Sequence, residues 1–190
     1  MARSRRLSSE QSSARLIEAA TELLRLRPPA EVSVREIAAR AGVNHGLIHR
    51  HFGGKDGLVS AVLERIFRQT GRAIVASMDS DPAEAVYQGL KVLMGERWIA
   101  PVVAHLLASR GGPEGIPEAS MMSVFGRRLG QDVSPQVRMV VAVGEAATLG
   151  WMLFEPLVAR GTGLDGLDAD QRLRLFASTL AAHLAPLLNA

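Results

Sequence analysis

Residues 33–52 read SVREIAARAGVNHGLIHRHF, and this stretch predicts two short helices joined by a tight turn. Residues 33–36 have the S-x-x-E spacing of a capping box, in which a hydroxyl and a carboxylate each satisfy a free amide at a helix start. Gly42 stands where the first helix must end, because a C-terminal cap needs a left-handed residue and glycine adopts that conformation at little cost. Asn44 can cap a second helix, which we expect over residues 45–51. Together these elements make a helix-turn-helix unit, whose second helix fits the major groove of DNA.

The second helix separates apolar from polar positions. The apolar side chains that can point into a core are those of Val43, Ile48 and Phe52. The remaining face offers hydrogen-bond donors and a glycine without any acidic residue, at His45, Gly46, His49 and Arg50. Such a face suits contacts with phosphates and base edges. A short surface helix of an all-helical protein is the alternative, since helix-glycine-helix units are common.

Residues 12–64 resemble the DNA-binding domain of the TetR family of bacterial transcriptional regulators. The matching residues are IAARAGV at 37–43, Gly46, RHF at 50–52, Lys55 and Leu58. Two positions depart from the family pattern, because members usually carry a tyrosine in place of His49 and a small or hydroxylated residue in place of Leu47. The resemblance implies an all-α fold, with a three-helix helix-turn-helix DNA-binding domain followed by an antiparallel helical ligand-binding and dimerisation domain.

We expect the DNA-binding domain over residues 10–56, with its recognition helix at 45–51, and the effector-binding and dimerisation domain over residues 57–190. The first helix should begin after Ser12 or Ser13. It should end by Arg27, because the two prolines that follow cannot continue it.

The resemblance and the exposed face together indicate which residues contact DNA. Arg50, Lys55 and the helix start at Ser33 are expected on phosphates. A lysine at the start of a helix opposes the helix dipole, which makes sense if Lys55 meets a phosphate. Base contacts are expected from His45, Gly46 and Leu47, the last against a thymine methyl group. The predicted DNA-binding residues are Ser33, Asn44, His45, Gly46, Leu47, His49, Arg50 and Lys55.

Composition and charge agree with a DNA-binding module. The 190 residues are 47% hydrophobic, which is ample for a core, and carry a net charge of +3. Residues 1–72 hold 13 Lys and Arg against 7 Asp and Glu, whereas residues 73–190 hold 9 against 12. A basic amino-terminal part joined to a mildly acidic remainder is typical of a protein that binds a polyanion. The absence of cysteine excludes thiolate metal sites, disulfides and a cysteine nucleophile.

The sequence predicts a cytoplasmic protein without a membrane partner. Residues 1–10 are basic and serine-rich and lack the apolar run of a secretory signal. No uninterrupted apolar stretch approaches the roughly 20 residues that span a bilayer. The arginines at positions 3, 5 and 6 form either an arm that reaches DNA or a solubilising tail.

Two long helices are expected near the carboxyl end of the chain. One starts at Ser134-Pro135 and is apolar nearly all round as far as Leu153, and the last spans residues 168–188. A helix without a polar face must be covered on most of its sides. We therefore expect both helices to pair with those of a second copy in a homodimer with two-fold symmetry. A monomer that buries these faces internally is the alternative.

Methionine and tryptophan residues suggest a cavity in the same domain. Both side chains suit an adaptable apolar pocket, and in TetR-like proteins such a cavity binds a small effector. The predicted pocket residues are Met94, Trp98, Met121, Met122, Phe125, Trp151 and Met152. Ordinary core packing is the alternative for each of them. His105 or Arg128 could add a polar contact.

Other classes of site have little support. His45 and His49 have a spacing that can hold a metal, but no acidic residue is near them, so we predict neither a metal nor a cofactor. Residues 161–166 match G-x-G-x-x-G, but they follow a helix where the dinucleotide fold requires a strand, and are predicted to be a linker. No catalytic residue is predicted.

The sequence thus predicts a transcriptional regulator and not an enzyme. The resemblance implies a homodimeric repressor that binds a palindromic operator in double-stranded DNA, released by a small, largely apolar effector of unknown identity. The alternative is a small helical enzyme or carrier that uses the C-terminal cavity and depends on His105, Glu145 and Glu155. A third possibility, sequence-neutral DNA packaging, predicts little loss of affinity when the DNA sequence is scrambled.

Overall fold

A computed structural model describes residues 8–77, 82–110 and 134–188. These residues form eight α-helices and one 3₁₀ turn, with no β-strand among them. The all-α fold predicted from the sequence is confirmed. The arginines at positions 3, 5 and 6 lie outside the described residues.

The first half of the chain contains α1 (Ser9–Leu24), a 3₁₀ turn (Pro29–Glu31), α2 (Val34–Ala41), α3 (Gly46–Phe52) and α4 (Lys55–Ser77). The second half contains α5 (Pro82–Met94), α6 (Ile99–Arg110), α7 (Pro135–Thr162) and α8 (Ala169–Leu188). The described residues fall into two compact units. The first combines 8–65 with 101–110, and the second combines 66–77 and 82–100 with 134–188.

The first helix begins earlier than the sequence predicted. Ser8 caps α1 through a complete capping box, because its hydroxyl accepts from the Gln11 amide at 3.1 Å and the Gln11 side chain accepts from the Ser8 amide at 2.9 Å. The predicted cap Ser12 lies inside α1, where its side chain is buried and its hydroxyl donates to the Ser8 carbonyl at 3.0 Å. The prediction of a start after Ser12 or Ser13 was therefore wrong, because the S-x-x-Q pattern at residues 8–11 provides the stronger cap.

The core of the first unit fixes the inner side of the helix-turn-helix. Helix α1 packs against both α2 and α3. The side chains buried there include Leu16, Ala20, Leu24, Ile37, Ala38, Ile48, Leu58, Val59 and Val62. Each large aliphatic side chain removed from water contributes about 1.5–3 kcal/mol. Burial of this set determines which sides of α2 and α3 face outward.

Gly57 allows the first turn of α4 to approach the end of α3 very closely. A Cβ atom at this position would lie 1.8 Å from the carbonyl oxygen of Phe52 and 2.9 Å from its carbonyl carbon. Between the two helices Gly53 adopts a left-handed conformation, with φ of +73°, and its amide donates to the His49 carbonyl at 3.0 Å. The junction leaves no room for a side chain at position 57.

Tyr87 connects α5 to α8 in the second unit. These two helices pack against each other, and the Tyr87 ring is buried between them. The Tyr87 hydroxyl donates to Asp170, whose other carboxylate oxygen accepts from Nε of Arg174 at 2.9 Å. The Arg174 guanidinium also lies over the Tyr87 ring, 4.0 Å from its centroid. The hydrogen bond from Tyr87 lowers the pKa of Asp170 most, and the hydrogen bond from Arg174 lowers it further. The hydrogen bond between Tyr87 and Asp170 also raises the pKa of Tyr87.

Helix α7 exposes much of its apolar surface. The exposed large hydrophobic side chains of α7 and α8 are Met139, Val143, Leu153, Phe154, Leu157, Val158 and Leu175. Of the described helices, α7 alone is long and apolar enough to cross a bilayer, yet only 17% of its most apolar 18-residue window is buried. The apolar run of α7 is interrupted by Glu145, in agreement with the sequence prediction that no uninterrupted apolar stretch approaches roughly 20 residues. Core helices outside membranes meet the same criterion of length and composition. Exposed apolar surface of this kind is typical of interaction sites.

We expect Gly57→Ala to reduce the free energy of unfolding by about 1–3 kcal/mol, because its Cβ cannot be placed without displacing the Phe52 backbone. Gly161→Ala is the control, since no atom lies within 4 Å of its Cβ and alanine stabilises a helix by roughly 0.5–1 kcal/mol relative to glycine. Thermal unfolding followed by circular dichroism measures both variants. An unchanged Tm for Gly57→Ala would contradict the tight junction.

The pairing of Asp170 predicts a pH dependence. Because the folded-state pKa lies below the ordinary value of 3.8, the stabilisation is present above that value and is lost as the pH falls through the folded-state pKa. We expect Asp170→Asn to lower Tm at neutral pH and to flatten the fall in Tm between about pH 5 and about pH 3. Asp165→Asn, in an exposed loop, removes the same charge and should keep the wild-type slope. Equal slopes for Asp170→Asn and the wild type would contradict this prediction.

Candidate nucleic-acid interface

The start of α2 carries only half of the predicted capping box. The Ser33 hydroxyl accepts from the Glu36 amide at 3.2 Å, as the sequence predicts. The Glu36 carboxylate does not return to Ser33, because it receives the guanidinium of Arg27 instead. Within the described part of the chain, no group accepts from the Ser33 amide. This exposed amide is therefore available to an acceptor on another molecule.

The turn between α2 and α3 has the predicted glycine cap. Gly42 is left-handed, with φ of +67°, and its amide donates to the Ala39 carbonyl at 3.2 Å. The Val43 amide donates to the Ala38 carbonyl at 3.0 Å. These two hydrogen bonds close the end of α2 and turn the chain towards α3.

The Asn44 side chain caps the start of the recognition helix. Its side-chain oxygen accepts from the Gly46 amide at 2.8 Å, so Asn44 satisfies one of the free amides at the start of α3. The helix starts and ends one residue later than predicted, at Gly46–Phe52, because His45 takes part only as the flanking residue. A Cβ at position 46 would lie 3.2 Å from that Asn44 oxygen, so glycine fits the cap without displacing it.

Helix α3 turns one side to the core and the other to solvent. Ile48 is completely buried, and it anchors the inner side. Six of the predicted DNA-binding residues are exposed, namely Ser33, Asn44, His45, Gly46, His49 and Arg50. Leu47 and Lys55 are half-buried. Ser33 lies at the start of α2, the residues from His45 to Arg50 lie at or on α3, and Lys55 is the first residue of α4.

Arginine residues in the first unit divide into paired and unpaired groups. Arg27 binds Glu36 and Arg40 binds Glu22, in half-exposed ion pairs that contribute about 0–1 kcal/mol each. Arg35 and Arg50 are exposed, and neither has an acidic partner among the described residues. Arg35 is not among the predicted DNA-binding residues, although a basic residue in the first turn of a helix opposes the helix dipole, as at Lys55.

The predicted effector pocket is described only in part. Met152 is buried, whereas Met94, Trp98 and Trp151 are half-buried. The Trp151 ring stacks on Phe176 with centroids 4.7 Å apart, and the Trp98 indole donates to the Glu96 carboxylate. The predictions for Met121, Met122, Phe125 and Arg128 lie outside the described residues. The pocket remains a prediction.

Two alternative sites have little support in the described part of the chain. His45 and His49 belong to no group of three or more potential metal ligands there. Glu155, one of the acids that the enzyme alternative requires, is buried and forms ion pairs with Arg97 and Arg172. Both oxygens of this carboxylate are therefore already engaged by arginine side chains of the chain itself.

Comparisons with known proteins agree with this geometry. Residues 16–62 match the family model described as bacterial regulatory proteins, tetR family. Over 176 residues the chain is 33% identical to the HTH-type transcriptional repressor Rv3405c of Mycobacterium tuberculosis (strain ATCC 25618 / H37Rv), with 92% of this chain and 89% of that protein covered. The chain belongs to the TetR family of bacterial transcriptional regulators.

Solved structures of TetR-family proteins share the fold. The TetR family repressor AlkX from Dietzia sp. strain DQ12-45-1b matches with a TM-score of 0.64 at 17% identity, covering 92% of this chain and 97% of that one. RolR in complex with resorcinol matches with a TM-score of 0.58 at 20% identity, covering 94% and 92%. The arrangement predicted for this TetR-family regulator, a helix-turn-helix followed by a helical C-terminal domain, is confirmed. It is a DNA-binding transcriptional regulator and not an enzyme.

Proposed function

We propose that this TetR-family regulator is a homodimeric repressor that binds a palindromic operator and leaves it when a small, largely apolar effector binds. The observation that carries the proposal is the solvent-facing side of α3, which presents His45, Gly46, His49 and Arg50 while Ile48 anchors the opposite side. In this proposal residues 10–56 bind DNA, and residues 57–190 bind the effector and form the dimer. Such a protein acts on the bacterial chromosome, so we place it in the cytoplasm.

Phosphate contacts would position the recognition helix, and base contacts would select the sequence. Arg50 and Lys55 supply positive charge, and the unpaired Ser33 amide supplies a donor at a helix start, where anions bind favourably. His45, Gly46 and Leu47 would face the bases. Asn44 and His49 complete the proposed surface, as the cap of α3 and as an exposed donor next to Arg50.

The apolar side of α7 and α8 supports the homodimer. Phe154 and Leu157 expose 53% and 70% of their surface in the single chain, although side chains of this kind are normally buried. Pairing with a second copy would cover the same side chains on both subunits. It would also place two recognition helices in successive major grooves, about 34–36 Å apart or a multiple of that distance.

The family relationship supports the proposal of repression and of release by an effector. The relative from Mycobacterium tuberculosis is named a repressor, and RolR was solved with the small aromatic ligand resorcinol. A comparable effector would contact the predicted pocket residues Met94, Trp98, Met121, Met122, Phe125, Trp151 and Met152. An effector that prefers the conformation unable to bind DNA would shift the population away from the operator.

Removal of two cations tests the DNA contacts. We expect Arg50→Ala with Lys55→Ala to weaken operator binding by at least tenfold, because each lost phosphate contact lowers affinity and reduces its salt dependence. Arg65→Ala with Lys91→Ala removes the same charge at exposed positions outside the proposed surface and should bind like the wild type. Fluorescence anisotropy with the operator and with a scrambled sequence measures both. Unaltered operator binding by Arg50→Ala with Lys55→Ala would reject the proposed contacts. Equal affinity of the wild-type protein for the operator and the scrambled DNA would reject sequence-specific regulation.

Charges placed on the apolar surface test the dimer. We expect Phe154→Arg with Leu157→Arg to produce monomers that no longer bind the full operator, because charged groups cannot be buried there without partners. Leu26→Arg is a suitable control, since Leu26 is 76% exposed but lies in the first unit. Sedimentation velocity gives the oligomeric state of each variant. A dimer that survives the double substitution would place the interface elsewhere.

A further inference from the structure

Helix α7 continues through a proline. Pro156 lies within Pro135–Thr162 and has no amide hydrogen. It therefore cannot donate to the carbonyl of Met152, four residues earlier, which would receive that hydrogen bond in an uninterrupted helix. Because Met152 is buried, its carbonyl needs another donor.

Arg97 provides this donor from outside the helix. Its NH2 group lies 3.4 Å from the Met152 carbonyl oxygen, and its NH1 group lies 3.4 Å from Oε2 of Glu155. Arg97 belongs to the turn between α5 and α6, two residues before α6 begins at Ile99. One guanidinium group thus links this turn to the proline-interrupted part of α7.

Pairing with the Glu155 carboxylate does not by itself explain the position of Arg97, because Arg172 also pairs with Glu155. Glu155 is buried, and its other oxygen accepts from Nε of Arg172, whose NH1 group donates to the Leu167 carbonyl. The carboxylate therefore already has a partner well screened from solvent. The contact that Arg97 makes and Arg172 does not is the one to the Met152 carbonyl.

The interruption lies within the exposed apolar surface of α7. Pro156 stands between Leu153 and Phe154 on one side and Leu157 and Val158 on the other, and all four are exposed hydrophobic residues. A proline inside a helix weakens its local hydrogen bonding and allows it to bend. A donor that holds the freed carbonyl would fix the direction of α7 through this surface.

We propose that Arg97 is a positioning residue for operator binding. It replaces the donor that Pro156 lacks, fixes the course of α7 across the dimer surface and so sets the separation of the two recognition helices. This inference rests on the homodimer and palindromic operator of the proposed function. It also assigns a role to the turn before α6.

A double-mutant cycle tests the link between Arg97 and Pro156. Arg97→Met should lower Tm in the wild-type background, and the loss should fall by at least half in a Pro156→Ala background, where position 156 regains an amide hydrogen that can donate to Met152. Arg172→Met is the matched control, because Arg172 does not contact that carbonyl, so its effect should add to that of Pro156→Ala. Equal losses for Arg97→Met in both backgrounds would overturn the inference. If Arg97→Met fails to fold, Arg97→Lys, which keeps the charge near Glu155, replaces it in the same cycle.

The number of base pairs between the operator half-sites tests the positioning role proposed for Arg97. The probe is the DNA that the wild-type protein selects from a randomised pool, compared with versions that have one base pair added or removed between half-sites. We expect Arg97→Met to reduce discrimination between these spacings at least tenfold, and Pro156→Ala to restore it. Leu173→Ala, at a buried position, should lower Tm and leave discrimination unchanged. Wild-type discrimination in Arg97→Met would overturn the positioning role.

The two measurements separate failure of this inference from failure of the proposed function. A wild-type protein that sediments as a monomer, or selects no palindromic DNA, would reject the proposed function and the positioning role that rests on it. The double-mutant cycle measured by Tm needs neither DNA nor a dimer. It therefore still decides whether Arg97 donates a hydrogen bond to the Met152 carbonyl.

Discussion

The helix-turn-helix depends on tertiary contacts because its recognition helix is too short to persist alone. Helix α3 has seven residues, and isolated helices shorter than about 12–15 residues are marginal in water. Its order comes from the burial of Ile48, the cap from Asn44 and the tight junction at Gly57. None of these contacts uses the exposed side chains of His45, His49 or Arg50. The outer residues are therefore free to differ among regulators while the scaffold is retained.

Local signals in the sequence predicted the fold well, and long-range contacts limited the rest. The cap at Ser33 and the left-handed glycine at Gly42 depend on neighbours within a few residues, so the pattern alone reveals them. Glu36 shows the limit, because its spacing permits a capping box but folding brings Arg27 close enough to bind it instead. The contact of Arg97 with the Met152 carbonyl spans 55 residues and has no local signature.

Helix α7 has an unusual distribution of polar and apolar groups. It buries Thr148 and Glu155 in the chain, whereas Phe154 and Leu157 are exposed. The buried groups are satisfied, because the Thr148 hydroxyl donates to the Gly144 carbonyl at 2.8 Å and Glu155 pairs with two arginines. Sequence periodicity identified the apolar helix. It did not reveal the ion pairs of Glu155, because the partner arginines lie in a turn and in another helix. This distribution is typical of a helix whose folding and assembly surfaces are different.

Tyr87 is the single tyrosine in the chain. Its phenol lies where α5 meets α8 and is held there by Asp170 and Arg174. Any optical signal that is specific to tyrosine ionisation therefore comes from this one place. The protein thus carries a built-in, label-free reporter of helix separation in its second unit, independent of the two tryptophans.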